Sequence, residues 1–221
     1  MQKQSLFDTI KKVYDKFKPK SYLEVSDEFM GLRFLDLANS VDSITNITGV
    51  GFWPKQDLKS LPDKITIYPV SSDYYIHSPY MTDTWKNRFD MIFLDGYKKV
   101  ELVLKNLILF QGLLNPNGIF VVTNLSPDNA QEAERAKFGN KSTSKCGDCY
   151  RLLTIMKKTN NTAIKQILCE DGGLFIMQNM DMAYYNLNMV ALVRDVLDIP
   201  FEKRETSYDI TTEEYFQDNI S

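Results

Sequence analysis

Histidine is almost missing from this chain: His77 is the single one among 221 residues, and cysteine occurs only at Cys146, Cys149 and Cys169. A structural zinc wants four such ligands, so Cys146-Gly147-Asp148-Cys149 has only Cys169 to complete a cage. The pair therefore reads either as a zinc or redox motif or as two reduced cysteines at the start of a helix. No apolar run is long enough to span a bilayer, and the opening MQKQSLFDTIKK lacks the apolar core of a signal peptide. The expectation is a cytoplasmic protein with no membrane span. Lysine and arginine (26) do not outnumber aspartate and glutamate (29), and the net charge of -3 argues against a nucleic-acid partner held by bulk charge. A G-x-G-x-x-G is also lacking after the first strand candidate, which disfavours a nicotinamide dinucleotide. What the chain does have is 43% hydrophobic residues, enough for a sizeable core.

The most legible stretch is Arg88 to Asn124, which reads strand, helix, strand. Met91 to Leu94 form a continuous apolar run stopped by Asp95 and Gly96, as suits a strand covered on both faces. Val100, Val103, Leu104, Leu107 and Ile108 then recur at helical spacing, with Lys99, Glu101, Lys105 and Asn106 on the other face. Asn115-Pro116-Asn117-Gly118 breaks the pattern, and Ile119 to Val122 supply a second apolar run. This is a right-handed βαβ unit. Open parallel sheets bind ligands beyond the carboxyl ends of their strands, where Asp95 falls. There it would either meet a ligand or merely cap the following turn.

The rest of the chain repeats the theme. Ser5 to Phe17 is an amphipathic helix with Ser5 as N-cap and Pro19 beyond its end, and Ser21 to Val25 is the first strand. Gly31 opens a second helical pattern through Phe34, Leu35 and Leu37. Ser43 to Val50 and Lys64 to Tyr68 are further strands, separated by a helical turn or two at Gln56 to Leu61, and Tyr74 to Trp85 reads as broken helix and loop. Leu125 to Lys145 is a polar loop in which Gln131 to Lys137 suggests a short helix. Cys149 to Lys158 is helical by period, Ala163 to Cys169 and Gly173 to Met177 form an antiparallel pair, and Met189 to Val196 gives a last helix. Thr211 to Glu214 opens one more helical turn, and the end of the tail is expected to fray. Four strands thus end on Glu24 to Asp27, Gly51 and Phe52, Ser71 to Asp73, and Asp95 to Tyr97, a set that favours a nucleoside ligand over a free sugar or metal.

In order and spacing, SYLEVSDEFMG, ITGVGFW, YPVSSDYYI, the Phe89 to Asn124 segment, KCGDCYRLLTIMKK and CEDGGLFIM resemble class I S-adenosylmethionine-dependent methyltransferases. The nearest group is a small-molecule branch with the pattern YLEIG, GVD, SDEFF, DVIFIDGLH and GDVWK. The resemblance covers Ser21 to Gln178. It implies an α/β, Rossmann-like, doubly wound sheet of seven mostly parallel strands with an antiparallel C-terminal pair. Residues 1–180 would then form the methyltransferase-like domain including the N-terminal helix, and 181–221 a helical extension and tail.

By the same resemblance the cofactor is S-adenosylmethionine. Glu24, Val25, Ser26 and Gly31 would flank its methionine part, Gly51 and Phe52 the ribose, and Ser72 and Asp73 the adenine. Asp95 and Gly96 would lie between cofactor and substrate. Asp95 and His77 are the candidate bases, with Tyr97 positioning, although a histidine such as His77 is more often a surface or packing residue than a base. No resident metal is expected, although Asp95, Asn124 and Asp128 could together offer one oxygen ligands. The implied reaction is O-methylation of a sugar, glycan or other small hydroxylated molecule. A silent relative kept as a binding or scaffolding module is the alternative, and self-association into a homo-oligomer stays open. Four positions depart from the family pattern. Ser26 replaces its first glycine, Gly51 its ribose-binding acid, Tyr97-Lys98 its LH and Thr123-Asn124 its terminal HD. Restoring the acid by Gly51→Asp would then be expected to tighten cofactor binding.

Overall fold

The computed structural model describes residues 4–26, 31–52, 61–79, 88–135, 146–158, 164–178, 183–203 and 209–211. Helix α1, Leu6–Phe17, begins where the Ser5 hydroxyl accepts the Asp8 amide at 3.1 Å and ends on Lys18 in the left-handed region, with Pro19 beyond. Its stripe of Leu6, Ile10, Val13 and Tyr14 is buried. Strand β1, Ser21–Ser26, follows, then α2, Leu35–Asn39, and β2, Asn46–Val50. After these come β3, Ile65–Tyr68, α3, Ser72–His77, β4, Phe89–Asp95, α4, Val100–Phe110, and β5, Leu114–Thr123. The chain closes with α5, Arg151–Lys158, β6, Ile164–Leu168, β7, Leu174–Gln178, α6, Ala183–Leu197, and a short β8, Asp209–Thr211.

The strands form one sheet in the order β3-β2-β1-β4-β5-β7-β6-β8. From β3 across to β5 every pair is parallel, and β7 runs antiparallel to both of its neighbours. Seven of these strands are the ones the apolar runs predict. The eighth, β8, lies parallel to β6 in a segment too short and polar to read as a strand.

Alternation along the central strands assigns two cores. Leu23, Val25, Ile92, Leu94, Phe120 and Val122 face α4, α5 and α6. Tyr22, Met91, Phe93, Ile119 and Val121 face α1 and α2. Period-two geometry puts Glu24, Asp95 and Thr123 on this second face as well. At the C-terminal end, Leu192, Val193 and Val196 of α6 join the first core, and Arg151 donates from Nη1 to the carbonyls of Val196 and Ile199.

Three sequence expectations change. Helix α2 starts at Leu35 rather than near Gly31, because Gly31 has φ 72 and the Phe34 amide is already spent on the Glu24 carboxyl. Asn115 to Gly118 lie inside β5 as an irregularity: Phe89 pairs with Leu114, but Met91 pairs with Ile119. Residues 131–133 form a turn and 134–135 no regular structure where a helix over 131–137 is expected, since Asn129 and Glu132 side chains take up local amides, and 136–137 lie outside the described residues. The helical turns expected at 56–60 and at 212–214, and the 80–85 part of the broken segment, lie outside the described residues.

Candidate functional site

The carboxyl ends of β1, β2, β4 and β5 converge because β1 pairs with both β2 and β4, with Ser26 opposite Asp95 and Val25 opposite Val50. Around them stands a compact polar group. Glu24, Ser26, Asp95, Tyr97, Thr123 and Asn124 are all buried.

Asp95 is the centre of this group, and its partner is a residue the sequence did not flag. Arg33 donates from Nε to Asp95 Oδ2 and from Nη2 to Oδ1, both at 2.7 Å. The Thr123 hydroxyl donates to Oδ1 at 2.6 Å, and the Gly96 amide approaches the same hydroxyl at 3.4 Å. Both carboxylate oxygens are therefore occupied by a fork of guanidinium donors, the strongest arrangement open to a carboxylate. Arg33 also lies over the Phe34 ring, 5.1 Å from its centroid. The one hint in the sequence was a lone cation in the apolar run Met30-Gly31-Leu32-Arg33-Phe34, since a charge set among apolar residues needs a buried partner.

Glu24 is fully buried and turned away from open space. Its Oε1 accepts the Phe34 amide at 3.1 Å, and Tyr22 donates to Oε2 at 3.4 Å. Burial, with the Asp95 charge adding to it, pushes the Glu24 carboxyl up to about 8, so it carries its proton at neutral pH. Glu24 thus anchors the loop that presents Arg33. The Val25 side chain points into the opposite core and leaves only its backbone at this edge.

Ser26 and Gly51 meet side by side. The Ser26 hydroxyl is buried with no hydrogen-bond partner. A Cβ on Gly51, whose φ is 149, would fall 2.2 Å from that oxygen. The expectation that an aspartate at position 51 would simply add a ribose contact is corrected by this contact, because the space for its first carbon is already filled by Ser26. The Leu32 amide donates to the Phe52 carbonyl at 3.2 Å, while the Phe52 ring is 56% exposed beside this edge. The Tyr97 hydroxyl lies 3.5 Å from the Ser26 carbonyl, which it meets as a long, weak donor.

The other sequence candidates stand further out. Ser71 caps α3, so Ser72 and Asp73 occupy its first turn just beyond β3, and Asp73 pairs with Lys105 of α4 at 2.6 Å. His77 is exposed on the last turn of α3, and no described contact joins it to Asp95. Glu24, Ser26, Gly31, Gly51, Asp95, Gly96 and Tyr97 are thus brought together, and His77 is not.

The C-x-x-C segment braces this edge. Asp148 accepts the Val100 amide at 3.0 Å, at the start of α4, and holds Arg135, which also grips Glu101. The Cys149 thiol donates to the Tyr97 carbonyl at 3.1 Å, and burial holds its pKa well above the ordinary thiol value. A thiol kept protonated is neither a nucleophile nor a ready metal ligand. Among the described residues no cluster of three or more His, Cys, Asp or Glu could hold a metal, and no helix is long and apolar enough to cross a membrane.

No protein-family model matches the chain, and no curated protein does. Solved structures do. A Staphylococcus aureus protein assigned as a caffeoyl-CoA O-methyltransferase matches with a TM-score of 0.54 at 17% identity, over 78% of this chain and 82% of that one. MycE, a methyltransferase of the mycinamycin pathway solved with Mg, SAH and mycinamycin VI, gives 0.53 at 10%, over 80% of this chain but only 50% of its own. An O-methyltransferase from Bacillus cereus, solved with SAH, gives 0.51 at 12%, over 77% and 80%. Likeness at such low identity speaks for architecture, and that architecture is the Rossmann-like fold of the class I methyltransferases.

Proposed function

We propose that the chain is an S-adenosylmethionine-dependent methyltransferase that modifies a hydroxyl of a sugar, glycan or other small molecule. The observation that carries this reading is the sheet itself: five parallel strands, an antiparallel β7 between β5 and β6, and polar residues gathered at the carboxyl ends of β1, β4 and β5. The residues fit the cofactor in chemical type. The Ser26 hydroxyl is an orphaned donor and acceptor, and Gly51 offers bare backbone beside it, which suits a ribose hydroxyl. Ser72 and Asp73 open α3 at the side where an adenine edge would lie, and Phe52 offers an exposed ring.

When bound, S-adenosylmethionine supplies a methyl group already activated by its sulfonium. The protein then has to align an incoming oxygen and dispose of its proton. Asp95 with Gly96 and Tyr97 forms the wall between the two ligands, and Asp95 can accept a proton only where Arg33 releases one of its oxygens. His77, exposed on the last turn of α3, is the other candidate base and would need an acceptor that reaches over that helix. The saturation of Asp95 by Arg33 and Thr123 also favours a second reading, a binding module that holds a nucleoside ligand without transferring from it.

Calorimetry with S-adenosylmethionine and S-adenosylhomocysteine tests the proposal. Saturable heat is expected from both, and no heat at millimolar ligand overturns it. Given binding, labelled methyl transfer to a panel of sugars and phenols separates the readings: transfer to any of them establishes the enzyme, and binding without transfer leaves the module.

A further inference from the structure

Arg33 is only half used by the fold. Its Nε and Nη2 are committed to Asp95, while Nη1 makes no hydrogen bond among the described residues. The side chain keeps 29% of its surface exposed, although the carboxylate that grips it has none. A buried anion thus holds the guanidinium rigidly by one edge, and the Phe34 ring supports its plane. The other edge, with both Nη1 hydrogens, is left without a partner among the described residues. A donor so fixed has already lost the rotamer freedom that ligand binding would otherwise take from it. The surrounding field is mixed, because the Asp171 carboxylate also acts on Arg33. Such a setting, one fixed cation amid carboxylates, matches a zwitterion better than a simple anion.

We propose that the free edge of Arg33 receives the carboxylate of the amino-acid arm of the cofactor, and that Asp95 is the residue that orients Arg33 for this task. This rests on the cofactor reading above and assigns it a residue outside the motifs that suggested it. Asp95 is then a positioning residue, fixed by Thr123 on one side and spending its charge on Arg33.

The test compares S-adenosylmethionine with its decarboxylated form, which keeps the sulfonium, ammonium and nucleoside and lacks only the carboxylate. Affinities are measured by calorimetry for the wild type, Arg33→Gln and the double variant Arg33→Gln/Asp95→Asn. The double variant removes both charges together and avoids leaving a buried carboxylate unpaired, so it serves if the single variant does not fold. The wild type is expected to prefer the carboxylate-bearing ligand by about tenfold to a hundredfold, as befits a charged hydrogen bond. Both variants are expected to bind the two ligands equally. Because the readout is a ratio within each protein, a general loosening of the fold cancels. A wild type that binds neither ligand sinks the cofactor reading and this inference with it. Binding without preference, a preference that survives in the variants, or tighter binding of both ligands when Arg33 is lost would overturn the Arg33 assignment alone.

Discussion

Placing a methyl group on Gly51 is the sharpest probe of the strand-end geometry. The backbone there has φ 149, and the new carbon would lie 2.2 Å from the Ser26 hydroxyl oxygen and 3.5 Å from Leu32 Cδ2. A side chain in that conformation costs about 1–3 kcal/mol in backbone strain. Forcing the hydroxyl aside adds about 1–3 kcal/mol of overpacking. Gly51→Ala is therefore expected to lose about 2–6 kcal/mol of stability. Ser26→Gly alone removes an orphaned buried hydroxyl but adds chain entropy to the unfolded state, and these offset to within about 1 kcal/mol. In the double variant the overlap disappears and only the strain remains, so the two substitutions should couple favourably by about 1–3 kcal/mol. Urea unfolding followed by far-ultraviolet circular dichroism gives the four free energies, provided that the slope is shared across the set. Additivity to within about 0.5 kcal/mol would refute the reasoning, since it would mean that Ser26 does not fill the space beside Gly51. Gly51→Asp carries the same collision, so it should lose folded protein before it gains any ligand.

Two other outcomes follow from the same edge. Glu24 titrates near 8 in the folded protein against 4.5 for a free side chain, so the native state holds an extra proton between those values. Stability should then fall as pH rises through that window, by on the order of 5 kcal/mol in all, and Glu24→Gln should flatten melting temperature against pH; a profile unchanged by the substitution would show that Glu24 is ionised when folded. Asp148→Ala strips the Val100 amide of its partner and leaves Arg135 with Glu101 alone, and is expected to cost about 2–4 kcal/mol by urea midpoint, with Asp148→Asn recovering part of the loss through its remaining oxygen. Equal losses in the two variants would show that the Val100 bond contributes nothing.

Much of the sheet could be read in advance because its strands are covered on both faces. Runs such as Met91 to Leu94 and Ile119 to Val122 stay apolar on consecutive residues, which a half-exposed strand would not do. Element ends were harder. Gly31 resembled a helix start until its positive φ and the Glu24 contact moved the start to Leu35, and β8 carries no apolar pattern. The site was legible in its strand-end residues and illegible in their partners. Arg33 and Asp95 are 62 positions apart, and Asp148 reaches Val100 across 48. Nothing local announces such a pair, so Asp95 read either as a ligand-facing acid or as a turn cap with no partner in view, and Cys146 to Cys149 either as a zinc or redox motif or as two reduced cysteines.

The place of β7 bears on how the chain can be assembled. Leu174–Gln178 are made late, yet they lie between β5 and β6 and bond to both. Strands β1 to β5 can zip together as they emerge, each beside an earlier one, but the far side of the sheet has no footing until this segment inserts. Strand β8 then hangs on β6, and the Glu170 amide reaches back to the carbonyl of Gln4 at 2.8 Å. A chain interrupted before Leu174 would leave the apolar edge from Ile119 to Thr123 unpaired, an invitation to intermolecular strand addition. Leu174–Gln178 are thus the keystone of a synthesis-ordered fold: the last long apolar run to enter the sheet is the one that joins its two sides.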